Sequence, residues 1–303
     1  MNNKIKELDQ FFTNPKVSDS LVNIIVNLFP SIYESQIIET SVGSGNFVNS
    51  LLKYDIKLSQ IKTYDIDTSN YHLSNIVKGD FLKIPLPYCK NRFAISNVPY
   101  GKRGRLAIQF LNKSLKENDI VCFILPKIFT RYSVQKQIDP EAKLIYECEV
   151  EKNAFLVNNR EYHVNSVFQI WINPNKSTYA NDLRLTEPKP NKHPDFTTYI
   201  HNNTKSTLKY FDKKKYKWNF AVHRQGYYDY NNRITKEKQL IKNRQYVFIK
   251  YDSLISKKIL GMIDFQSLAD SNTTIKGFSL TDLVEEYTLL KLIYTQNKKK
   301  SNH

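Results

Sequence analysis

The sequence predicts an α/β fold in which a parallel sheet ends in an antiparallel hairpin, followed by a smaller C-terminal α+β domain. Three observations predict it. Short apolar runs of strand length alternate with stretches of helical apolar spacing through residues 1–175, as strand–helix crossovers require. A glycine turn, SVGSG, lies between the first of those runs and a helical pattern, where an open α/β sheet places its ligand turn. The alternation then stops at Phe155–Ile172 (FLVNNREYHVNSVFQIWI), which reads as two strands about a polar turn.

The elements follow in order. Ser18–Phe29 (SDSLVNIIVNLF) opens with a capping-type Ser and keeps apolar residues at helical spacing. Strands are expected at Gln36–Glu39, Ile61–Ile66, Arg92–Ser96 and Ile120–Leu125, with helices at Phe47–Leu52 and Leu106–Leu115. Asn173–Pro194 holds four prolines among polar residues and reads as a linker or an extended wrap. Beyond it, Tyr246–Tyr251 alternates as a strand and Thr281–Tyr294 repeats as an amphipathic packing helix, with a frayed basic tail at Lys298–Lys300. Two domains are therefore expected, 1–175 and 176–303.

Charge separates those domains. The net charge is +16. Residues 1–175 carry 21 basic and 17 acidic side chains, whereas 176–303 carry 24 and 12. An excess of that size, gathered in the shorter part, points to a polyanionic partner. Other classes fall away. No apolar run approaches the roughly 18–20 residues of a membrane span. The segment MNNKIKELDQ has no apolar signal core, so an intracellular location is expected. Three cysteines (Cys89, Cys122, Cys148) without a C-x-x-C pair exclude a disulfide framework and a cysteine-rich zinc site, and Cys122, in an apolar run, is expected in the core. Six scattered histidines show no ligand spacing, so no metal is expected.

Two segments carry chemistry. In Ile38–Phe47 (IETSVGSGNF), Gly43 and Gly45 would let the backbone approach a ligand closely. Val48 stands where a dinucleotide fingerprint has its third glycine, which disfavours a pyrophosphate cofactor. Asp65, at the end of the next strand, suits ribose hydroxyls. In Arg92–Gly101 (RFAISNVPYG), a strand delivers Asn97-Val98-Pro99-Tyr100 to its carboxyl end. Asn97 offers an amide oxygen, Pro99 fixes the backbone so that neighbouring carbonyls aim at one point, and Tyr100 offers a flat ring. These parts suit an aromatic amine: acceptors on its two hydrogens localise a lone pair otherwise delocalised into the ring, with no metal or strong base needed.

The ordered set resembles the S-adenosylmethionine-dependent adenine amino-methyltransferases, and the resemblance spans about residues 9–172. It implies a Rossmann-like methyltransferase fold. Asp9–Pro15 (DQFFTNP) is similar to that family's N-terminal cofactor motif, which implies that Phe12 and Thr13 touch the methionine end. Glu39–Phe47 (ETSVGSGNF) is similar to its E-x-S-x-G-x-G-x-F motif, implying Glu39 near the methionine amine with Ser41, Gly43 and Gly45 lining the cofactor. Asp65 corresponds to the ribose acid, and Gly79-Asp80-Phe81 to the contact with the cofactor's adenine. Asn97, Val98, Pro99 and Tyr100 match the catalytic N-P-P-Y segment, and Phe155 the ring packed against a flipped adenine. Val98 departs from the usual Pro; ribosomal RNA adenine dimethylases resemble this N-[aliphatic]-P-Y form more closely. DQFFTNP and the long basic C-terminal part look more like the DNA enzymes. The expected partner is DNA, with RNA as the alternative and a non-catalytic nucleic-acid-binding subunit as the third reading. The sequence names no partner endonuclease or second subunit.

From Tyr210 to Tyr251, 11 basic residues interleave with 11 aromatic ones. Cations neutralise phosphates and flat rings accept unstacked bases. Lys214 and Lys217 are candidates for the backbone. Arg224, Arg233 and Arg244 are candidates for phosphate or base forks, because a planar guanidinium binds bidentately. About half of the aromatics are expected to face inward, given the alternation at Tyr246–Tyr251.

Overall fold

The computed structural model describes residues 11–157, 160–173, 181–271 and 275–300. They divide into two compact units, Met1–Pro188 and Lys189–His303. The first two residues of the Asp9–Pro15 motif lie outside the described residues.

The first unit is an α/β unit. Its elements are β1 (Phe12–Thr13), α1 (Pro15–Leu28), β2 (Ile37–Glu39), α2 (Asn46–Lys53), β3 (Ile61–Asp65), β4 (Ile76–Lys78), β5 (Cys89–Asn97), α3 (Arg105–Glu117), β6 (Asn118–Pro126), α4 (Tyr132–Gln135), β7 (Lys143–Glu149), β8 (Phe155–Val157), β9 (Arg160–Tyr162) and β10 (Ser166–Ile172). A seven-stranded sheet runs in the order β4-β3-β2-β5-β6-β10-β7. Its strands pair in parallel from β4 to β6. β10 alone reverses, antiparallel to both β6 and β7. This is the Rossmann-like arrangement, with a reversed strand near one edge, that the resemblance implied.

Strand alternation explains the layering. Ile37, Phe93, Ile95, Cys122 and Ile170 sit in the core on one face, and Ile38, Ala94, Val121, Phe123 and Trp171 in the core on the other. Successive strand residues point to opposite faces, so a sheet covered on both sides reads as a continuous apolar run. Cys122 is packed there as expected, and burial pushes its thiol far up.

Three details differ from the sequence reading. The first helix starts at Pro15, capped by Asn14, whose side chain accepts from Lys16 N at 3.1 Å. Pro at the first helical position outcompetes the Ser18 start, and Ser18 is buried with its hydroxyl on the Pro15 carbonyl. The expected hairpin at Phe155–Ile172 belongs to two sheets. β8 pairs with β1 and β9 in a separate three-stranded sheet, while β10 pairs with β6 and with β7, a strand absent from the sequence reading. β7 is an edge strand carrying Lys143, Glu147 and Glu149, and edge charges blur the apolar signal. Third, residues 181–188 wrap onto the first unit. Arg184 donates to the carbonyls of Asp139, Ala142, Gln135 and Ile138, and Asp182 accepts from Leu144 N. The unit therefore extends to Pro188.

The second unit has β11 (Phe196–His201), α5 (Lys213–Tyr216), β12 (Phe220–His223), β13 (Tyr246–Tyr251), α6 (Leu254–Met262), α7 (Phe265–Asp270) and α8 (Leu280–Lys300). An antiparallel sheet runs β11-β13-β12. Val247 and Ile249 face a core shared with Ile259, Phe265 and Leu283 of the helices. Tyr246 and Phe248 face a second core with Trp218 and Ile234. Both faces of β13 are thus buried. The basic tail expected at Lys298–Lys300 is the last turn of α8.

Candidate active site

The strand order reverses between β2 and β5, since the chain runs from β2 outward through β3 and β4 and then returns to β5. Ligands of open α/β sheets bind at the carboxyl ends of strands at such a switch point. Glu39 ends β2, Asp65 ends β3 and Asn97 ends β5.

A cavity of about 310 Å³ opens there, within the roughly 300–1,000 Å³ usual for small-molecule sites. Phe12, Ser41, Gly43, Asp65, Asp80, Phe81, Asn97, Val98 and Pro99 all line it. A small adjoining recess is lined by Thr13 and Glu39. The structure thus gathers almost all the cofactor and catalytic candidates at one place.

The turn after β2 is built by backbone geometry. Gly43 and Gly45 have φ of +56° and +81°. A Cβ on Gly45 would lie 2.6 Å from the Tyr71 ring and one on Gly43 3.1 Å from the Phe12 ring, so a side chain would collide at Gly45, crowd Phe12 at Gly43 and strain the backbone at both. Gly45 does not line the cavity; it lets the turn enter α2. The turn is held from three sides. Gly43 N donates to Asp65 Oδ2 at 2.8 Å, Asp67 N donates to Asp65 Oδ1 at 2.9 Å, and Asn46 Nδ2 donates to the Thr13 carbonyl at 2.6 Å. Burial pushes the Asp65 carboxyl up, against the pull of those amides.

Glu39 is 2% exposed, and its Oε2 has no hydrogen-bond partner. Burial drives this carboxyl well above the ordinary carboxylate range, with a Ser96 hydrogen bond opposing and the Asp65 charge adding to the rise. An orphaned buried carboxylate oxygen is costly unless a ligand meets it. A cationic amine suits that position. Because the folded-state value is raised, Glu39 is neutral at no cost below the ordinary range, and stability is lost as pH rises through the folded value. Glu39→Gln is therefore expected to melt at a higher temperature than the wild type in the ligand-free state, by a margin that widens from pH 5 to pH 8. Calorimetric scans across that range check it; a pH-independent margin would contradict this account of Glu39.

At the end of β5, Asn97 Nδ2 donates to the Phe11 carbonyl at 2.8 Å. The Asn97 carbonyl accepts from Ser41 Oγ at 2.8 Å, and Ser41 Oγ also lies 3.2 Å from Ser96 Oγ. The Phe11 carbonyl thereby orients the Asn97 amide, and the residue lines the cavity. Val98 is buried, packed into the core beneath the site.

Two expected rings are not on the cavity. Tyr100 is 9% exposed with its hydroxyl 2.8 Å from Ser166 Oγ, and Phe155 is 0% exposed in the sheet core. β8 turns Phe155 inward because its pairing with β1 sets Thr13 opposite it. Neither ring offers an open face to a base in this conformation. The rings the sequence reading missed are nearby. Phe11 lines the cavity and stacks on Tyr162 (centroids 5.4 Å, planes 7° apart). Ile66, 55% exposed, lines the cavity beside Asp65; an aliphatic residue directly after a strand-end acid was the available signal.

In the second unit, Lys214 and Lys217 are exposed. Arg224 is half-buried with Nη1 on Asn202 Oδ1, and Arg244 lies 4.7 Å over the Tyr228 ring. Arg233 is not an open fork. Its Nη2 donates to the carbonyls of Leu260, Gly261 and Ile263, each at 3.1 Å, and its guanidinium lies over Phe220 and Phe265. It caps the end of α6, where orphan carbonyls attract a cation. Among the described residues no group of three His, Cys, Asp or Glu side chains could hold a metal ion, and no helix is long and apolar enough to cross a membrane.

No family model matches the sequence, and no curated protein matches it. Among solved structures, the chain is similar to a putative RNA methyltransferase from Pyrococcus horikoshii (13% identity, TM-score 0.42, 55% of this chain and 87% of that one). It is similar to the 23S rRNA methyltransferase ErmE (14%, 0.37, 59% and 71%). A third likeness is to a putative class I S-adenosylmethionine-dependent methyltransferase from Listeria monocytogenes (13%, 0.42, 57% and 64%). The substrates in those names belong to those proteins; the fold of this chain rests on its own strand order.

Proposed function

We propose that the protein transfers a methyl group from S-adenosylmethionine to the exocyclic amine of adenine in DNA. The observation that carries this reading is the Asn97 amide, held by its Nδ2 on the Phe11 carbonyl at the switch point. The site fits the cofactor: the orphaned Glu39 Oε2 suits its amine, Asp65 its ribose, and the slot at Ile66, Asp80, Phe81 and Phe110 its adenine ring. When bound, the cofactor supplies an electrophilic methyl on a sulfonium.

The chain's residues supply orientation. Asn97 Oδ1 and the backbone carbonyl near Val98 accept the two amine hydrogens, which localises the nitrogen lone pair and aims it. Pro99 fixes the direction of that carbonyl. A paired adenine cannot reach these acceptors, so the base must leave the duplex. The Phe11–Tyr162 pair is an aromatic surface beside Asn97, and in this reading it receives the base, with the Phe155 ring 6.3 Å from Phe11 behind it. The unit of residues 189–303 holds the nucleic acid.

RNA is the second reading, favoured by Val98 in the N-V-P-Y segment. Mass spectrometry of nucleosides, after incubation with labelled cofactor and either duplex DNA or structured RNA, decides. N6-methyladenine in DNA is the expected product. Label in RNA alone would replace the substrate, and label in neither would end the reading.

A further inference from the structure

Of the eleven aromatic residues between Tyr210 and Tyr251, ten are buried or half-buried and accounted for by packing. Tyr227 is 75% exposed. Its exposure is not the looseness of a free loop. Arg224 N donates to the Gln245 carbonyl and Phe278 N to the Arg224 carbonyl. Gly226 N donates to the Lys276 carbonyl at 2.9 Å. The hydroxyl of Tyr230, itself fully buried, bonds the carbonyls of Gly226 and Lys276 at 2.6 and 2.9 Å. The turn is thus fastened on both sides, and it holds a large ring in water. A prepared turn with an exposed ring loses little ordering entropy on binding.

Beside it stands a column of planar groups. Arg244 lies over Tyr228, Tyr228 stacks on His223 at 4.3 Å with planes 22° apart, and His223 lies 4.9 Å from Tyr246 in the core. Burial and Arg244 push the His223 imidazole down to about 4, so it is neutral near pH 7 and does not repel the guanidinium. The column holds the Arg244 cation in place. Residues 189–303 carry 22 basic and 10 acidic side chains, a field suited to phosphates.

We propose that residues 224–229 form a base-stacking turn, in which Tyr227 takes the face of an unpaired nucleobase and Arg244, set on Tyr228, takes an adjoining phosphate. Aromatic faces accept any base, and a cation beside them tracks the backbone. The proposal rests on the nucleic-acid reading above and names the residues that make the contact.

The test uses the full chain and a fluorescein-labelled mixed-sequence oligonucleotide carrying 2-aminopurine, as single strand and as duplex. Tyr227→Ala is expected to weaken single-strand binding about tenfold or more. It should also reduce quenching of 2-aminopurine while leaving the salt dependence unchanged. Tyr227→Trp should restore both. Arg244→Gln should lower the slope of log affinity against log salt by about one. An unchanged calorimetric unfolding profile of each variant reports that the second unit is intact. If the wild type binds and methylates while Tyr227→Ala matches it in affinity and quenching, the turn proposal alone falls. If the wild type binds neither oligonucleotide, the nucleic-acid reading falls and this proposal with it.

Discussion

Asn97→Ala is expected to lower methyl transfer by at least about 100-fold while cofactor affinity stays within a few-fold of wild type. An acceptor that acts on the developing charge of the reacting amine is worth a factor of that size. In the proposed reaction the Asn97 side chain acts through its oxygen, whereas the turn beneath it is held by the backbone carbonyl of the same residue, which accepts from Ser41. Alanine keeps that carbonyl. The exposed end of the side chain bonds only the Phe11 carbonyl among the contacts described above, so the stability cost is about 1 kcal/mol. Tritium incorporation into adenine-containing duplexes, read alongside calorimetric titration of the cofactor, separates the two effects. Transfer at near wild-type rate by Asn97→Ala would remove the residue from the chemistry.

Asp65→Ala is expected to weaken cofactor binding about 100-fold. Each carboxylate oxygen accepts a backbone amide, from Gly43 and from Asp67. Hydrogen bonds to a charged group contribute about 1.5–3 kcal/mol each. Their loss frees the glycine turn at the same time as it removes the proposed ribose acceptor. Asp65→Asn keeps one acceptor oxygen and so should fall between the two. Titration calorimetry gives the affinities, and hydrogen exchange at Gly43 reports the turn directly. An Asp65→Ala protein that binds cofactor as tightly as wild type would show that the acid faces no ribose.

The sequence made the parallel strands and the switch-point residues legible for one physical reason. Strands buried on both faces read as apolar runs, as in β2 and the inner half of β5, and β2, β3 and β5 each ended in a polar residue: Glu39, Asp65 and Asn97. β7 was hidden because an edge strand carries charges. Phe155 was placed by its motif at the base-binding surface, but which face of a strand a ring takes depends on pairing. β8 pairs with β1 some 140 residues earlier, and no local pattern encodes that register. Arg233 looked like an open fork because sequence does not show which cation meets a helix end. In the second unit, rings and cations alternate closely, yet the structure sends most rings to two cores and leaves Tyr227 outside.

The Arg184 clamp bears on modularity. Target specificity in a two-unit protein can be exchanged by recombination only at a joint where neither half loses what holds it together. A crossover at the change of composition near residue 175 would strip the first unit of Arg184 and Asp182. Four carbonyls would lose the Arg184 guanidinium, and the Leu144 amide would lose its Asp182 acceptor. A crossover between Pro188 and Lys189 severs none of these bonds. The same chain position is thus where the second unit could be exchanged without opening the first.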